Sequence, residues 1–385
     1  MAERWGLKMT RRLGQPEGST GAEETAGEVR PMIESDVPRV VRLYERVFGR
    51  PGVTGAESVR DHLRRVLFRH PWRDETMPSL VYEDESGDVA GCLGVMPRTM
   101  LFEGRPVKAA ISHTFMVEPG SRSSLAGLAL ARAFLAGGQD LSIAEGGSPS
   151  RRILERFGGS TSLLLSLRWT RPLRPGRYVL SFLRRRGLPA AASWLCAPVF
   201  AAADALAPFL TREPARLSRP RSAGEELTTD DLLECLSRLT VDRVLRPVYD
   251  RESLEWMLGL LEGRRDRGLL QRVAVRDGAG ELLGWYLYYL NRGGISEVVQ
   301  IGARKASMDE VLNHLFDHAR RGGSLAVSGQ MDPAAFQALS VKGSIFHHDG
   351  ASWFLVHSRN PRILAAIHRV DVFLTRLEGE WCIGP

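Results

Sequence analysis

The sequence predicts an α/β protein built from two similar mixed-sheet units in tandem, joined by a helical linker. Two observations carry that prediction. The same order of elements runs twice along the chain. In addition, "GGQDLSIAEGGSPSRRILERFGGS" (137–160) and "GGSLAVSGQMDPAAFQALSVKGS" (322–344) share one plan: Gly-Gly, short apolar strand, proline-started helix, glycine. Repetition at this scale implies two related units rather than one large domain, as does a length of 385 residues.

Each element follows from local pattern. In "DVPRVVRLYERVF" (36–48), Val37, Val40, Val41, Tyr44 and Val47 recur at helical spacing behind Asp36 as a cap, and a second helix covers 56–68. "SLVYEDESGDVAGCLGVMPRTMLFEGRPVKAAISHTFMVEP" reads as three strands with turns at Ser86-Gly87-Asp88 and Glu103-Gly104. The long helix of "VEPGSRSSLAGLALARAFL" follows, then the strand "LSIAE", a helix in "SPSRRILERFG" and a strand "STSLLLSLRWT". The second copy has helices near 229–239 and 251–261, strands in "QRVAVRDGAGELLGWYLYYL" and "EVVQIGA", and the helix "SMDEVLNHLFDHAR". A strand "SLAVSG", a helix "DPAAFQALSVKG" and a hairpin "SIFHHDGASWFLVH" close it. The resulting division is a disordered leader (1–30), a first unit (31–172), a basic and apolar linker (173–222), a second unit (223–360) and a tail (361–385).

Composition narrows the function. The formal net charge is +7, carried by arginine, since Lys8, Lys108, Lys305 and Lys342 are the only lysines. Such an excess suits nucleic acid, anionic lipid or a phosphorylated ligand, or is background composition. Few aromatics interleave with the basic residues, which argues against nucleic acid. Cys92, Cys196, Cys235 and Cys382 form no CxxC pair, so neither a zinc site nor a disulfide framework is indicated, and a reducing cytoplasm fits. The first 15 residues lack the apolar core of a secretory signal. "HHD" at 347–349 reads as the approach to an Asp349-Gly350 turn rather than as a metal site, and no metal is expected. The apolar stretch 188–210 is broken by Pro189, Pro198, Asp204 and Pro208. Helices packed between the units, an interfacial anchor aided by Arg184–Arg186, or a membrane span all remain open for it, with peripheral membrane contact through 184–210 the functional alternative.

The helix after Val117-Glu118-Pro119 opens with Arg122, Ser123, Ser124, Leu125, Ala126, Gly127 and Leu128, with no carboxylate. A helix start exposes unpaired N–H groups and partial positive charge, so one left small and free of anions has room for a phosphate. The layout of 31–170 and this loop resemble the GNAT acyltransferase superfamily, whose cofactor loop follows Val-x-Pro with the pattern Gln/Arg-x-x-Gly-x-Gly/Ala. Here Arg122 and Gly127 stand at the ends of that pattern, and Leu125 replaces its first glycine. The resemblance implies that Met116, Val117 and 122–128 bind acetyl-CoA or another acyl-CoA as co-substrate. It further implies transfer of the acyl group to an amine of a small or medium polar molecule, with Arg151 and Arg152 suited to an anionic one. The family's later helix looks like "GSPSRRILERFGG", with Gly147 for its Asn, Leu154 for the tyrosine that protonates the leaving thiolate in many members, and Gly159 for its Phe. These departures leave open a binding protein that has lost transfer. The candidate catalytic residues are Glu145, ending "LSIAE" where the family's central strands part, and His113 in "AISHTFMV". In the second copy, Ser307 and Glu310 form a capping-box pattern beside Asp309, which predicts a first turn closed to phosphate and hence one coenzyme A per chain.

Overall fold

The computed structural model describes residues 27–48, 56–120, 123–210, 220–348 and 350–384. In chain order it begins with β1 (Glu28–Pro31), α1 (Val37–Phe48), α2 (Ala56–Phe68), β2 (Leu80–Glu83), β3 (Val89–Phe102), β4 (Arg105–Val117) and α3 (Ser123–Leu135). Next come β5 (Leu141–Gly146), α4 (Ser148–Arg156), β6 (Ser160–Thr161), α5 (Leu163–Ser166), β7 (Arg168–Pro172), α6 (Pro175–Arg185) and α7 (Ala190–Leu210). The remainder holds β8 (Ala223–Glu226), α8 (Thr229–Leu239), β9 (Leu245–Pro247), α9 (Arg251–Glu262), β10 (Leu269–Arg276), β11 (Leu282–Leu290), β12 (Ile295–Ala303) and α10 (Met308–Arg321). Then follow β13 (Ala326–Gln330), α11 (Pro333–Val341), β14 (Ile345–His347), β15 (Trp353–His357), α12 (Pro361–His368) and α13 (Glu380–Ile383).

Two mixed sheets form. One runs β1-β2-β3-β4-β5-β15-β6 and the other β14-β7-β13-β12-β11-β10-β8. Each has one parallel pair at its centre, β4 with β5 and β12 with β13. The first compact unit comprises the described residues up to Leu163 with 350–367 and 379–384, and the second comprises 164–348 and 368–378. Each unit therefore uses a strand that the linear division 31–172 and 223–360 assigns to the other.

Burial explains where the two strands settle. In the second unit Trp169 of β7 is buried in the core with Phe316, their rings 6.0 Å apart and edge to face. Its Nε1 donates to the Gln330 carbonyl, and a Cβ on Gly329 would stand 2.7 Å from the indole. In the first unit, Phe354, Leu355 and Val356 of β15 are buried between β5 and β6.

Several expectations are corrected. "STSLLLSLRWT" is not one strand: it divides into β6, α5 and β7, and its ends belong to different sheets. "SIFHHDGASWFLVH" is not a hairpin, because β14 pairs with β7 and β15 pairs with β5. Asp349 lies outside the described residues, and His347 Nε2 instead meets Thr170 Oγ1 at 3.0 Å. Of the leader, 1–26 lies outside the described residues, while 28–31 is strand β1, paired antiparallel with β2. Asp36 does not cap α1; its carboxylate accepts the Ile33 N–H and binds Arg30 through two short hydrogen bonds. Among the described residues, no helix is long and apolar enough to cross a membrane.

Candidate active site

The site begins where the parallel ladder of the first sheet stops. β4 and β5 pair at Ala109↔Leu141, Ala110↔Ser142 and Ile111↔Ile143, and both strands then continue, β4 to Val117 and β5 to Gly146. The far edge of β5 stays paired with β15 as far as Gly146↔Trp353. A notch thus opens between β4 and β5. On the β4 side the backbone is irregular: its register with β3 shifts between Cys92 and Gly94, and Thr114 has φ 53°. A β-branched residue in the left-handed region is strained, and such strain persists only where surrounding structure holds it.

What holds Thr114 is a carboxyl group from the far end of the chain. Glu380, the first residue of α13, accepts the Thr114 N–H at 2.9 Å. Glu380 is partly exposed, yet desolvation of its carboxyl and the nearby charge of Glu145 push it up to about 8, against a weaker lowering by the Thr114 N–H. Glu145 is half-buried on β5 opposite Phe354. A carboxyl raised in this way keeps its proton through neutral pH. The Glu145–Glu380 pair can take a proton from an incoming group.

His113 sits next to this notch but belongs to the core. It is fully buried against Gly94, where an added Cβ would lie 2.4 Å from the ring. Its Nδ1 meets Thr114 Oγ1 at 3.0 Å, and Nε2 has no partner among the described residues. Burial, then the charges of His70 and His62, push its pKa down to about 3. A ring without solvent access and this weakly basic cannot serve as the proton acceptor, so His113 is a packing residue that also braces Thr114.

The predicted loop falls at the N-terminus of α3, directly after β4. Arg122 lies outside the described residues, and Ser123 and Ser124 are the first two residues of the helix. The first turn has no acidic residue. Leu125 is 59% exposed, whereas Ala126 is buried in the core with Leu130, Leu154 and Leu355. Gly127 is buried with Val117 and Ile153 in van der Waals range of where a Cβ would be, and Leu128 and Val117 are half-buried; Met116 is buried. An aspartate at Ala126 would therefore test folding, and Leu125 is the position at which to introduce a charge.

The departures in the later helix have structural reasons. Leu154 faces the same core as Ala126. Gly158 (φ 88°) and Gly159 end α4, with Gly158 N–H bonded to the Glu155 carbonyl and Gly159 N–H to that of Leu154. This is the paired-bond glycine cap, and a Cβ at Gly159 would stand 2.8 Å from the Leu154 oxygen. Gly147 takes the extended N-cap position with no side-chain bond. Arg151 lies over the Trp353 ring at 4.2 Å and pairs with Glu155, while Arg152 is exposed. Glu118 is held by Arg46 through both oxygens.

The predicted capping box of the second copy does not form. A short 3-10 turn (Lys305–Ser307) precedes α10, and Ser307 makes no side-chain cap. Glu310 instead accepts the N–H groups of Arg221 and Ser222 and the Ser222 hydroxyl, and Asp309 pairs with Lys342 at 2.8 Å. Both carboxylates still occupy the first turn.

The sequence reading missed Glu380. Its one signal is a carboxylate near the end of the closing run "DVFLTRLEGEWCIGP", where Phe373, Leu374 and Leu377 are buried.

The fold recurs in solved structures. A conserved protein of Enterococcus faecalis, described as a probable N-acyltransferase, superposes with a TM-score of 0.57 at 11% identity, over 87% of this chain and 72% of that one. The fold is that of the GNAT acyltransferases. Saccharomyces cerevisiae N-myristoyltransferase with bound myristoyl-CoA matches over 94% of this chain and 86% of its own, with a TM-score of 0.51 and 13% identity. A GCN5-related N-acetyltransferase from Kribbella flavida matches at 0.53 and 14% identity, over 87% and 72%. No protein-family model matches the sequence, and no curated protein matches it either.

Proposed function

We propose that the chain is an acyl-CoA-dependent N-acyltransferase whose first unit performs the transfer. One observation carries the reading: the notch opened past Ile111↔Ile143 holds the Glu145–Glu380 pair, beside a helix start with no carboxylate. A carboxyl group poised near neutral pH can deprotonate an ammonium; a backbone notch and a carboxylate-free helix start suit a thioester bearing phosphates.

In this reading Met116, Val117 and the first turn of α3 hold the acyl-CoA. The Glu145–Glu380 pair receives the proton of the substrate amine. The amine nitrogen then attacks the thioester carbonyl, and a main-chain N–H of β4 past the end of the ladder stabilises the oxyanion. The C–S bond breaks, and the thiolate takes the second proton of the attacking nitrogen. A thiol leaves readily, so Leu154 in place of a tyrosine does not forbid the reaction. The acyl group is acetyl and the acceptor a small or medium polar amine, with exposed Arg152 suited to an anionic one. The second unit is a structural or substrate-binding partner.

Calorimetric titration with acetyl-, succinyl- and longer acyl-CoA, paired with thiol release over a panel of amines, tests this. Binding of one equivalent with amine-dependent thiol release is the expected result. Binding without release would make the chain a binding protein, and absence of binding would remove the proposal.

A further inference from the structure

The hairpin of α6 and α7 has its polarity reversed. A surface helix of a globular protein normally buries its apolar stripe and turns polar residues to water. In α7 every exposed residue from Ala190 to Leu206 is apolar. Trp194, Leu195, Pro198, Val199, Ala202 and Leu206 follow one another at helical spacing, and Trp194 is 76%, Val199 69% and Leu195 67% exposed. The polar groups of α7 point inward. Ser193 is buried and bonds Arg184, and Asp204 caps α6 by accepting the N–H groups of Gly176 and Arg177. The inner face is thus fully occupied in holding the hairpin together, and the outer face is suited to an apolar neighbour.

Charge decides which neighbour. Arg177, Arg184, Arg185 and Arg186 are exposed on and just after α6, and Asp204 is the only acidic residue between 171 and 210. Among the described residues none of Arg184, Arg185 and Arg186 has a carboxylate partner, and Arg186 instead lies over Phe182, itself 47% exposed. The Arg184–Ser193 bond places the basic cluster one residue from Trp194. An apolar stripe with an aromatic residue beside a row of arginines fits the boundary of an anionic bilayer, where rings enter the interface and guanidinium groups meet phosphates. A second copy docked face to face about a two-fold would bring like charges together. We infer that the α6–α7 hairpin is a docking surface for anionic membrane, lying on the bilayer without crossing it.

Vesicle flotation of the full chain tests this. Phosphatidylglycerol vesicles should capture it and phosphatidylcholine vesicles should not, and raising NaCl from about 50 to about 500 mM should lower capture at least ~10-fold. The exposed substitutions Trp194→Ser with Val199→Ser, and separately Arg185→Glu with Arg186→Glu, should each lower capture by ~10-fold or more while thermal unfolding stays unchanged. Thermal unfolding read on the same samples confirms that a loss of capture is not a loss of fold. Capture equal on both vesicle types, or unchanged in both variants, would overturn the inference. So would a concentration-dependent dimer that Trp194→Ser abolishes, in a chain that vesicles fail to capture.

Discussion

The same architectural opening occurs in both units, and the two are filled in opposite ways. In the second sheet the parallel ladder ends at Glu297↔Ser328, as it ends at Ile111↔Ile143 in the first. There Glu297 meets Arg168 at 2.9 Å, Arg267 at 3.3 Å and Arg376 at 3.9 Å. Buried Arg376 also donates to the Val298 carbonyl, and Gln300 reaches Thr375 and Glu378. The opening of the second unit is neutralised and closed by side chains, and the charges of the three arginines hold the Glu297 carboxyl low despite its burial. In the first unit Glu380 is desolvated beside Glu145, and its carboxyl rises. One opening is built for stability. The other holds a carboxyl raised to about 8, which suits it to proton transfer.

Substitutions can break or sharpen this contrast, and the largest effect is expected in the first unit. Glu380→Gln should lower acyl transfer by roughly 10²–10⁴-fold with little change in acyl-CoA affinity. The parent's rate should rise with pH through an apparent pKa near 8, as the pair gives up its proton, and the variant should lose that limb. A variant within about threefold of the parent at every pH would take Glu380 out of the chemistry, because a general base contributes far more. Next comes the second unit, where Arg376→Ala should cost about 3 kcal/mol in urea unfolding by removing a buried partner of Glu297. A loss below about 0.5 kcal/mol would mean that this opening is not held by its ion cluster.

Leu125→Asp should weaken acyl-CoA binding by roughly tenfold, because it adds an anion at an exposed helix start. Asp309→Ala, its counterpart in the second unit, should leave binding as it is. Equal responses in calorimetry would erase the distinction between the two helix starts. The last effect is the pH dependence of stability. Glu380 is raised in the folded state from the usual 4.5 to about 8, so the native chain binds more protons than the unfolded one between those values. Stability therefore falls as pH rises through that window, and the loss is complete above about 8. Glu380→Gln removes the dependence: its melting temperature should match the parent's near pH 4 and exceed it at pH 8. A constant difference across that range would show that the Glu380 carboxyl is not raised in the folded chain.

Most of the fold could be read from the sequence because helices and strands are written in local periodicity, as with Val37, Val40 and Val41 of α1. The partner of a strand is not written there. "RWTRP" and "WFLVH" are each five residues long, and nothing in either indicates a sheet remote from its sequence neighbours. Glu145 was readable as a carboxylate ending a buried strand. Glu380 was not, since its environment exists only after the tail docks. The capping-box pattern at Ser307 and Glu310 was present in sequence, but the N–H groups of Arg221 and Ser222, almost ninety residues upstream, claim the carboxylate instead.

The position of β15 also sets a schedule for synthesis. Its first-unit partners β5 and β6 leave the ribosome about 200 residues before β15 does, which at about 5–20 residues per second is a wait of ~10–40 s. For that time β5 is an open strand edge, the kind of edge that other chains can pair with. The nascent chain is thus most exposed to misassembly while its second half is being made, and slower translation of 164–352 lengthens the exposure without altering a single residue of the product.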